Sequence, residues 1–209
     1  MGDRAHRFQY GVEEREGLLQ EAQRFIAEHG DQVQAGPFAG MRYPGRRPAH
    51  VSRLQGTYEQ PLQEWLVPTQ HFIDVGSADG YYAVGMALKG ARVDAFELSK
   101  TARAETLELA KLNGVTINQH GRATGKALRE LEPHGALILS DCEGAEADIF
   151  DPETVRALVD CTLIVETHGT DDLIRERFAA THDCERRDSG PQQLRDAPTP
   201  WLHLTPRRR

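Results

Sequence analysis

The chain has 209 residues, of which 39% are hydrophobic and 27% are charged, and its formal net charge at pH 7 is −7. This length suits one domain with a small extension, and this composition is ordinary for a water-soluble protein. The acidic balance is unlike that of a nucleic-acid-binding protein, and no apolar run approaches the roughly 18 residues that a transmembrane helix needs.

Cysteine usage and the chain ends indicate the compartment. Cys142, Cys161 and Cys184 are odd in number and lack a C-x-x-C spacing, so we predict reduced thiols rather than a disulfide or zinc framework. The N-terminus is polar, which predicts no signal peptide and a cytoplasmic location. The arginines of 45–47 and 207–209 are local exceptions to the acidic balance, and we interpret the terminal ones as a solvated tail.

The first predicted element is an amphipathic helix. Apolar residues recur at helical spacing from Leu18 to Ile26, and Gly30 ends the run. A second helical stretch is expected over residues 58–65. We therefore divide the chain into an N-terminal helix and cover (1–69) and one compact domain (70–209).

Residues 31–57, named here the cover segment, contain prolines and glycines that preclude a long regular element. A loop of this length in a compact domain is usually functional or disordered. Phe38, Met41 and Tyr43 argue against disorder, so we interpret the segment as a cover over a ligand site. The alternative is a structural wrap that contacts no ligand.

The central stretch reads as a strand at 71–75, a turn from Gly76 to Gly80, and an apolar helix at 83–88. This order begins many nucleotide-binding α/β domains. The turn has the pattern D-x-G-x-x-x-G instead of the G-x-G-x-x-G of dinucleotide sites, and Asp74 would oppose a pyrophosphate. A cationic ligand such as S-adenosylmethionine (AdoMet) suits that carboxylate better.

The next predicted strand covers 92–97 and ends in Glu97, which lies 23 positions after Asp74. An acid about 20 residues past a glycine turn is placed to accept hydrogen bonds from ribose hydroxyls. The alternative is a solvated charge at a strand end.

The remaining sequence alternates between strand and helix patterns. Further strands are predicted at 115–117, 136–140 and 163–165, with two more within 183–205; helices are predicted after Ser99 or Thr101, around 127–131, from Asp151, and over 172–180. Such alternation predicts a doubly wound α/β domain whose seven-stranded sheet is mainly parallel, with helices on both faces.

Polar groups follow four of these strands: Asp74, Glu97, Asp141, and Glu166 with His168. Ligands of open α/β sheets bind beyond the carboxyl ends of the strands. Each group alone could be a solvated strand end, but their convergence on one edge predicts a site.

At these positions the chain resembles the class I AdoMet-dependent methyltransferases, and among them the FkbM-like family. The stretches that carry the resemblance lie between about residues 70 and 170, and they are I-D-V-G with G-Y at 73–81, A-F-E at 95–97, D-C-E-G-A-E at 141–146, and V-E-T-H at 165–168. The family usually has a proline after the acid of the second strand, where this chain has Leu98. The resemblance implies the Rossmann-like methyltransferase fold.

The resemblance also implies roles for single residues. Asp74, Gly76 and Gly80 would surround the methionine part of AdoMet, Glu97 would hold the ribose, and Arg122 with Ala123 would flank the adenine. The full set of expected cofactor contacts is Asp74, Gly76, Ser77, Ala78, Gly80, Tyr81, Glu97, Leu98, Arg122 and Asp141. Family enzymes mostly methylate hydroxyl groups, which implies a small molecule, sugar or natural product as acceptor.

The candidate catalytic residues are Asp141, Glu166 and His168. A hydroxyl acceptor benefits from a general base, and the imidazole of His168 titrates near neutral pH, with Asp141 to orient it or to act as base itself. Alternatively the three side chains could hold a divalent metal that acidifies the acceptor, where mixed oxygen and nitrogen ligands would permit Mn, Fe or Zn. We assign no metal ligands from the sequence, and we interpret His71 as structural.

Two other functions stay open at this point. One is a non-catalytic AdoMet-binding or interaction protein, and the other is a nicotinamide-dependent oxidoreductase, which the missing G-x-G disfavours. The expected partner is a small-molecule acceptor, with neither nucleic acid nor membrane, and homodimerisation is left open.

Overall fold

The computed structural model describes residues 12–44, 50–188 and 199–207. Its seven strands form one sheet in the order β3-β2-β1-β4-β5-β7-β6. The strands are β1 His71–Val75, β2 Arg92–Phe96, β3 Asn118–His120, β4 Leu137–Ser140, β5 Thr162–Glu166, β6 His182–Asp188 and β7 Pro200–Pro206. The first five are parallel, and β7 lies antiparallel between β5 and β6. The predicted doubly wound, mainly parallel sheet is confirmed.

Seven α-helices accompany the sheet in the described ranges: α1 Val12–His29, α2 His50–Gln55, α3 Tyr81–Leu88, α4 Lys100–Leu112, α5 Gly125–Glu130, α6 Glu146–Ile149 and α7 Asp171–Phe178. Ser99 begins α4 because its hydroxyl accepts a hydrogen bond from the Ala102 amide, as one of the two predicted caps. None of the described helices has the length and apolar character to cross a membrane.

The core has two parts, one on each face of the sheet. β4 is buried along its whole length and β1 from its second residue, as expected for parallel strands covered on both faces. Neighbouring residues of β1 belong to different parts of the core. Phe72 lies in the first cluster, with Phe38, Tyr43 and Tyr81, whereas Ile73 lies in the second cluster on the other face. The cover segment therefore belongs to the core on one face of the sheet.

The third strand lies later than predicted. Residues 115–117 were expected to form it, but the strand is Asn118–His120, paired with Asp94–Phe96. The amide of Val115 instead bonds to the Ala110 carbonyl at the end of α4, and Ile117 is buried against the core. The apolar residues at 115–117 thus anchor the helix end and are not a strand.

Two predicted helices also differ. The stretch at 58–65 contains a 3-10 helix, Gln60–Trp65, with Pro61 in its first turn. Asp151 begins a turn, because its carboxylate accepts hydrogen bonds from the Glu153 amide and the Thr154 hydroxyl. A 3-10 helix follows at Arg156–Asp160.

The cover segment is ordered where it is described, as predicted. Gln32 and Arg42 form a β-bridge, and the Gln34 amide bonds to the Leu54 carbonyl at 2.7 Å. Phe38, Met41 and Tyr43 are at most 3% exposed. Residues 45–49 of the segment, including Arg46 and Arg47, lie outside the described residues.

The structure describes the three cysteines and the first of the three C-terminal arginines. Cys142, Cys161 and Cys184 are not joined in disulfides. Arg207 is exposed and pairs with Asp183 at 2.8 Å. Arg208 and Arg209 lie outside the described residues.

Candidate functional site

The carboxyl ends of β1, β2 and β4 meet in one place. The amides of Gly76 and Ser77 both donate to the Phe96 carbonyl at 2.9 Å, and the Asp141 amide donates to the Val75 carbonyl at 2.9 Å. The predicted residues that follow these three strands are therefore brought to one edge of the sheet.

The turn after β1 requires glycine at both ends. Gly76 has φ +91° and Gly80 has φ +90°. A Cβ atom at Gly76 would lie 1.8 Å from the Asp141 backbone oxygen, and one at Gly80 would lie 2.7 Å from the Thr106 side chain. The restriction at Gly76 therefore comes from the backbone of the chain itself.

Asp74 is a buried carboxylate beside this turn. It is 1% exposed, and neither oxygen makes a hydrogen bond of acceptable geometry within the described residues. Burial raises the pKa of Asp74 to about 8, against a smaller opposite effect of the Ala83 backbone amide. A buried carboxylate that makes no hydrogen bond of acceptable geometry within the described residues is costly, and a bound cation or donor would lower that cost.

Glu97 joins the glycine turn to the start of α4. Its Oε2 accepts from the Ala78 amide at 3.0 Å and its Oε1 accepts from the Ser99 amide at 2.7 Å. It is half-buried, so the alternative of a solvated strand end does not describe it. Carboxylate oxygens accept more than one hydrogen bond each, which leaves acceptor capacity towards solvent.

The other predicted cofactor contacts differ in exposure. Ser77 and Tyr81 are buried, and their hydroxyls have no hydrogen-bond partner within the described residues. Leu98 is 59% exposed, although it follows a buried strand. Arg122 is exposed, while Ala123 packs half-buried against the second core cluster.

The cover segment lies against the glycine turn. The Tyr43 hydroxyl donates to Asp79 at 2.5 Å, and Arg53 Nη1 donates to both oxygens of Asp79 at 3.0 and 3.1 Å. The rings of Phe38 and Tyr43 meet the Tyr81 ring edge-on at 5.2 and 5.5 Å between centroids. The segment thus packs against Tyr81, one of the predicted cofactor residues.

Tyr58 and Glu59, which come just after the cover segment, lie near the acids at the ends of β4 and β5. Glu59 follows the cover segment at φ +45°, and its carboxylate accepts a hydrogen bond from the hydroxyl of Tyr82. Desolvation raises the pKa of Glu59 to about 7, and the nearby charge of Glu166 adds to this effect. Arg53 lies over the Tyr58 ring at 4.5 Å.

His168, after β5, is held by an acid that the sequence interpretation did not single out. Its Nδ1 lies 3.0 Å from Oε1 of Glu146, which is fully buried. Glu146 also accepts from the Gly144 amide at 3.0 Å and from the Thr170 hydroxyl at 3.2 Å. The hydrogen bond to Glu146 raises the pKa of His168, while burial opposes the rise. The imidazole is therefore fixed in one orientation.

The other ring nitrogen of His168, Nε2, lies near two acids. His168 Nε2 lies 3.9 Å from Asp141 Oδ1 and 3.8 Å from Glu143 Oε2. Asp141 Oδ1 is shielded from solvent and has no hydrogen-bond partner within the described residues. Desolvation raises the pKa of Asp141, and the neighbouring Glu166 raises it further. Asp141 and His168 are thus brought together as predicted.

Glu166 has a different position from the one expected of a metal ligand. It is 6% exposed and accepts a hydrogen bond from the Thr199 hydroxyl. The ligating atoms that lie within 4.8 Å of one another belong to Asp141, Glu143 and His168. Glu166 also neighbours Asp141, but the ligating atoms that come together are those of Asp141, Glu143 and His168.

Three residues of the site were absent from the predicted set: Glu143, Glu146 and Arg53. Glu143 and Glu146 lie inside the D-C-E-G-A-E stretch, whose three acids within six positions could have indicated that they belong to the site. Arg53 had none, because a single arginine in a short helix is ordinary on a protein surface. His71, interpreted as structural, lies 2.8 Å from Asp94 at the opposite end of β1.

No protein-family model matches the chain, and no curated protein matches it. Solved structures do. An O-methyltransferase from Bacillus cereus in complex with SAH has a TM-score of 0.55 and 15% identity, covering 91% of each chain. TrmN from Thermus thermophilus has a TM-score of 0.54 and 16% identity over 77% of this chain. A protein of the NADB-Rossmann superfamily from Streptococcus agalactiae has a TM-score of 0.52 and 20% identity, over 71% of this chain and 67% of its own.

The match covers 54% of the TrmN chain, so this chain spans about half of that protein's length. At such identities the likeness concerns the fold. The seven-stranded sheet and its flanking helices therefore have the Rossmann-like methyltransferase fold.

Proposed function

We propose that the protein is an AdoMet-dependent methyltransferase of the FkbM-like type that transfers the methyl group to oxygen. The observation that carries the proposal is Asp74, a buried carboxylate beside a glycine turn that makes no hydrogen bond of acceptable geometry within the described residues, with the second acid Glu97 nearby. A cationic ligand with a ribose matches these two acids, because one can neutralise a positive charge and the other can accept from hydroxyls.

AdoMet would bind at this edge of the sheet. The methionine part would lie against the turn at 76–80 and Tyr81, and the ribose would lie at Glu97. Leu98 offers an exposed apolar surface and Arg122 an exposed guanidinium on the side proposed for the adenine. The B. cereus protein, whose fold matches over 91% of each chain, is a complex with SAH.

The acceptor would lie over the ends of β4 and β5. In the transfer, an acceptor oxygen bonds to the methyl carbon, the carbon–sulfur bond breaks, and sulfur keeps the electron pair to give S-adenosylhomocysteine. The acceptor proton leaves to a base or to water. Asp141 and His168, which lie 3.9 Å apart, would promote that loss, while Glu166 and Glu59 would line the acceptor side.

The acceptor would be a small molecule such as a sugar or natural product, and the protein would act in the cytoplasm. A nicotinamide-dependent oxidoreductase is the competing enzyme, since a protein of the NADB-Rossmann superfamily shares the fold. Asp74 disfavours it, because its carboxylate would face the pyrophosphate.

The test is turnover. The purified chain is incubated with AdoMet and a small-molecule cell extract, and S-adenosylhomocysteine and newly methylated compounds are measured by mass spectrometry. We expect both to form together, whereas a non-catalytic binder would form neither although it binds AdoMet.

A further inference from the structure

The strongest unassigned feature is the group formed by Asp141, Glu143 and His168. Its members follow two neighbouring strands, β4 and β5, which are paired from Leu137 with Thr162 to Ser140 with Val165. We infer that these three side chains form a binding site for one divalent transition-metal ion such as Mn²⁺.

The distances fit an ion better than direct pairing. His168 Nε2 lies 3.9 Å from Asp141 Oδ1 and 3.8 Å from Glu143 Oε2, which is too long for hydrogen bonds. Two atoms that bind the same ion lie about 3–4.4 Å apart, because each bond is about 2.0–2.2 Å long. All three ligating atoms are within 4.8 Å of one another.

The hydrogen bonding of the imidazole gives independent support. Metal-binding histidines usually donate the N–H of the other ring nitrogen to a carboxylate, which orients the ring. Glu146 provides that partner for His168 Nδ1 at 3.0 Å, and Glu146 is itself held by the Gly144 amide and the Thr170 hydroxyl. The lone pair of Nε2 is then directed towards the two acids.

Asp141 gives a second indication of a ligand. Its Oδ1, the atom facing His168, is shielded from solvent and has no hydrogen-bond partner in the part of the chain described. A shielded carboxylate oxygen requires a donor or a cation. The mixed set of two oxygens and one nitrogen favours Mn, Fe or Zn over Mg, which prefers oxygen alone.

The position of the ion suggests its use, and this step rests on the proposed methyl transfer. Three protein ligands leave open coordination positions, and a hydroxyl bound there loses its proton more easily. An ion held by these ligands would thus help the acceptor oxygen to bond to the methyl carbon, with the proton passing to solvent and the carbon–sulfur electron pair staying on sulfur. Glu143 is 66% exposed, so the site opens to the side from which an acceptor arrives.

The experiment titrates the chelator-treated full chain with Mn²⁺ alone, and the free ion is counted by electron paramagnetic resonance. We expect one bound equivalent. Glu143→Gln and His168→Ala should each weaken binding at least tenfold, and Glu146→Gln about ten- to a hundredfold through the orientation of the ring. Glu176→Gln, an exposed acid on α7, is the matched control and should bind as the unmodified chain does.

Circular dichroism of each variant shows that a loss is not unfolding. Absence of saturable Mn²⁺ binding to the unmodified chain overturns the inference, and so does equal binding in the two ligand variants. AdoMet is titrated into the same samples. AdoMet binding without Mn²⁺ binding overturns the metal site and leaves the methyltransferase proposal standing. Mn²⁺ binding without AdoMet binding overturns the methyltransferase proposal and leaves the metal site standing.

Discussion

Single carboxylates decide the chemistry of this site. Asp74 is buried without a hydrogen bond of acceptable geometry in the described chain, and its pKa of about 8 means that it is mostly protonated at neutral pH when no ligand is bound. Burial is the main cause, and the nearby acids Glu97, Glu59 and Asp79 add to it. A cation bound beside it would favour the ionised form.

The first prediction is a pH dependence of AdoMet binding through Asp74. Because AdoMet would pair with the ionised form, its affinity should rise by up to about tenfold per pH unit as pH increases towards 8, and it should level off above 8. Calorimetric titration in buffers of different ionisation enthalpy should detect a released proton below pH 8. The release should disappear in Asp74→Asn, and an unchanged release in that variant would contradict the assignment.

The same group predicts the pH dependence of the unliganded chain. A carboxyl whose pKa is raised from 3.8 to about 8 stabilises the fold below its unfolded pKa, and this contribution is lost as pH rises through 8. Asp74→Asn should therefore unfold at a higher temperature than the unmodified chain at pH 8, but not at pH 4.

The acceptor side gives the second prediction. Asp141→Asn and His168→Ala should each reduce turnover by about 10² to 10⁴, because the acceptor would lose its help in releasing a proton. AdoMet affinity should change little in His168→Ala, since His168 is not among the proposed cofactor contacts. Variants that keep near-normal turnover would place the acceptor elsewhere.

Among the elements, the glycine turn is the most sensitive to substitution. Gly76→Ala would place a Cβ atom 1.8 Å from the Asp141 backbone oxygen. Gly40 has a similar φ of +88°, but no described atom lies within 4 Å of a Cβ placed there. Gly40→Ala should thus cost only the strain of the left-handed backbone, about 1–2 kcal/mol. Gly76→Ala should cost distinctly more in thermal unfolding, and equal losses would show that the clash is relieved without effect.

The cover segment and α2 are joined to the turn by a buried ion pair. Arg53→Met removes the guanidinium that binds both oxygens of Asp79, and breaking such a pair costs about 3–5 kcal/mol. Tyr43→Phe removes the hydrogen bond to the same carboxylate and the one that its hydroxyl accepts from Arg53, and it should cost about 1.5–3 kcal/mol. Chemical denaturation of both variants measures the ratio. A smaller loss for Arg53→Met than for Tyr43→Phe would mean that the pair does not hold the cover in place.

For the whole molecule, the sequence predicted the sheet well because buried parallel strands are continuous apolar runs. The strand at 71–75 has the predicted bounds, and the one at 92–97 ends one residue earlier. The third strand failed because residues 115–117 are as apolar as a strand but pack against the end of α4, which local pattern cannot distinguish.

Site residues at strand ends could be predicted from the sequence, whereas those from turns and from the cover segment could not. Asp74 lies near the end of β1, and Glu97, Asp141 and His168 come within two residues after the ends of β2, β4 and β5, so topology alone placed them together. Glu143 and Arg53 reach the site from a turn and from the cover, and their positions depend on packing over long sequence separations. Glu166 follows a strand too, but the hydroxyl of Thr199 binds its carboxylate.

AdoMet is the proposed ligand of the glycine turn, and calorimetric titration of the chain with AdoMet and with NADH tests this assignment directly. We predict saturable one-to-one binding of AdoMet, no binding of NADH, and a ten- to a hundredfold weaker AdoMet complex for Glu97→Ala, about 1.5–3 kcal/mol for a carboxylate that binds ribose hydroxyls. Binding of NADH in place of AdoMet, or an unchanged AdoMet affinity in a folded Glu97→Ala variant, would contradict the account.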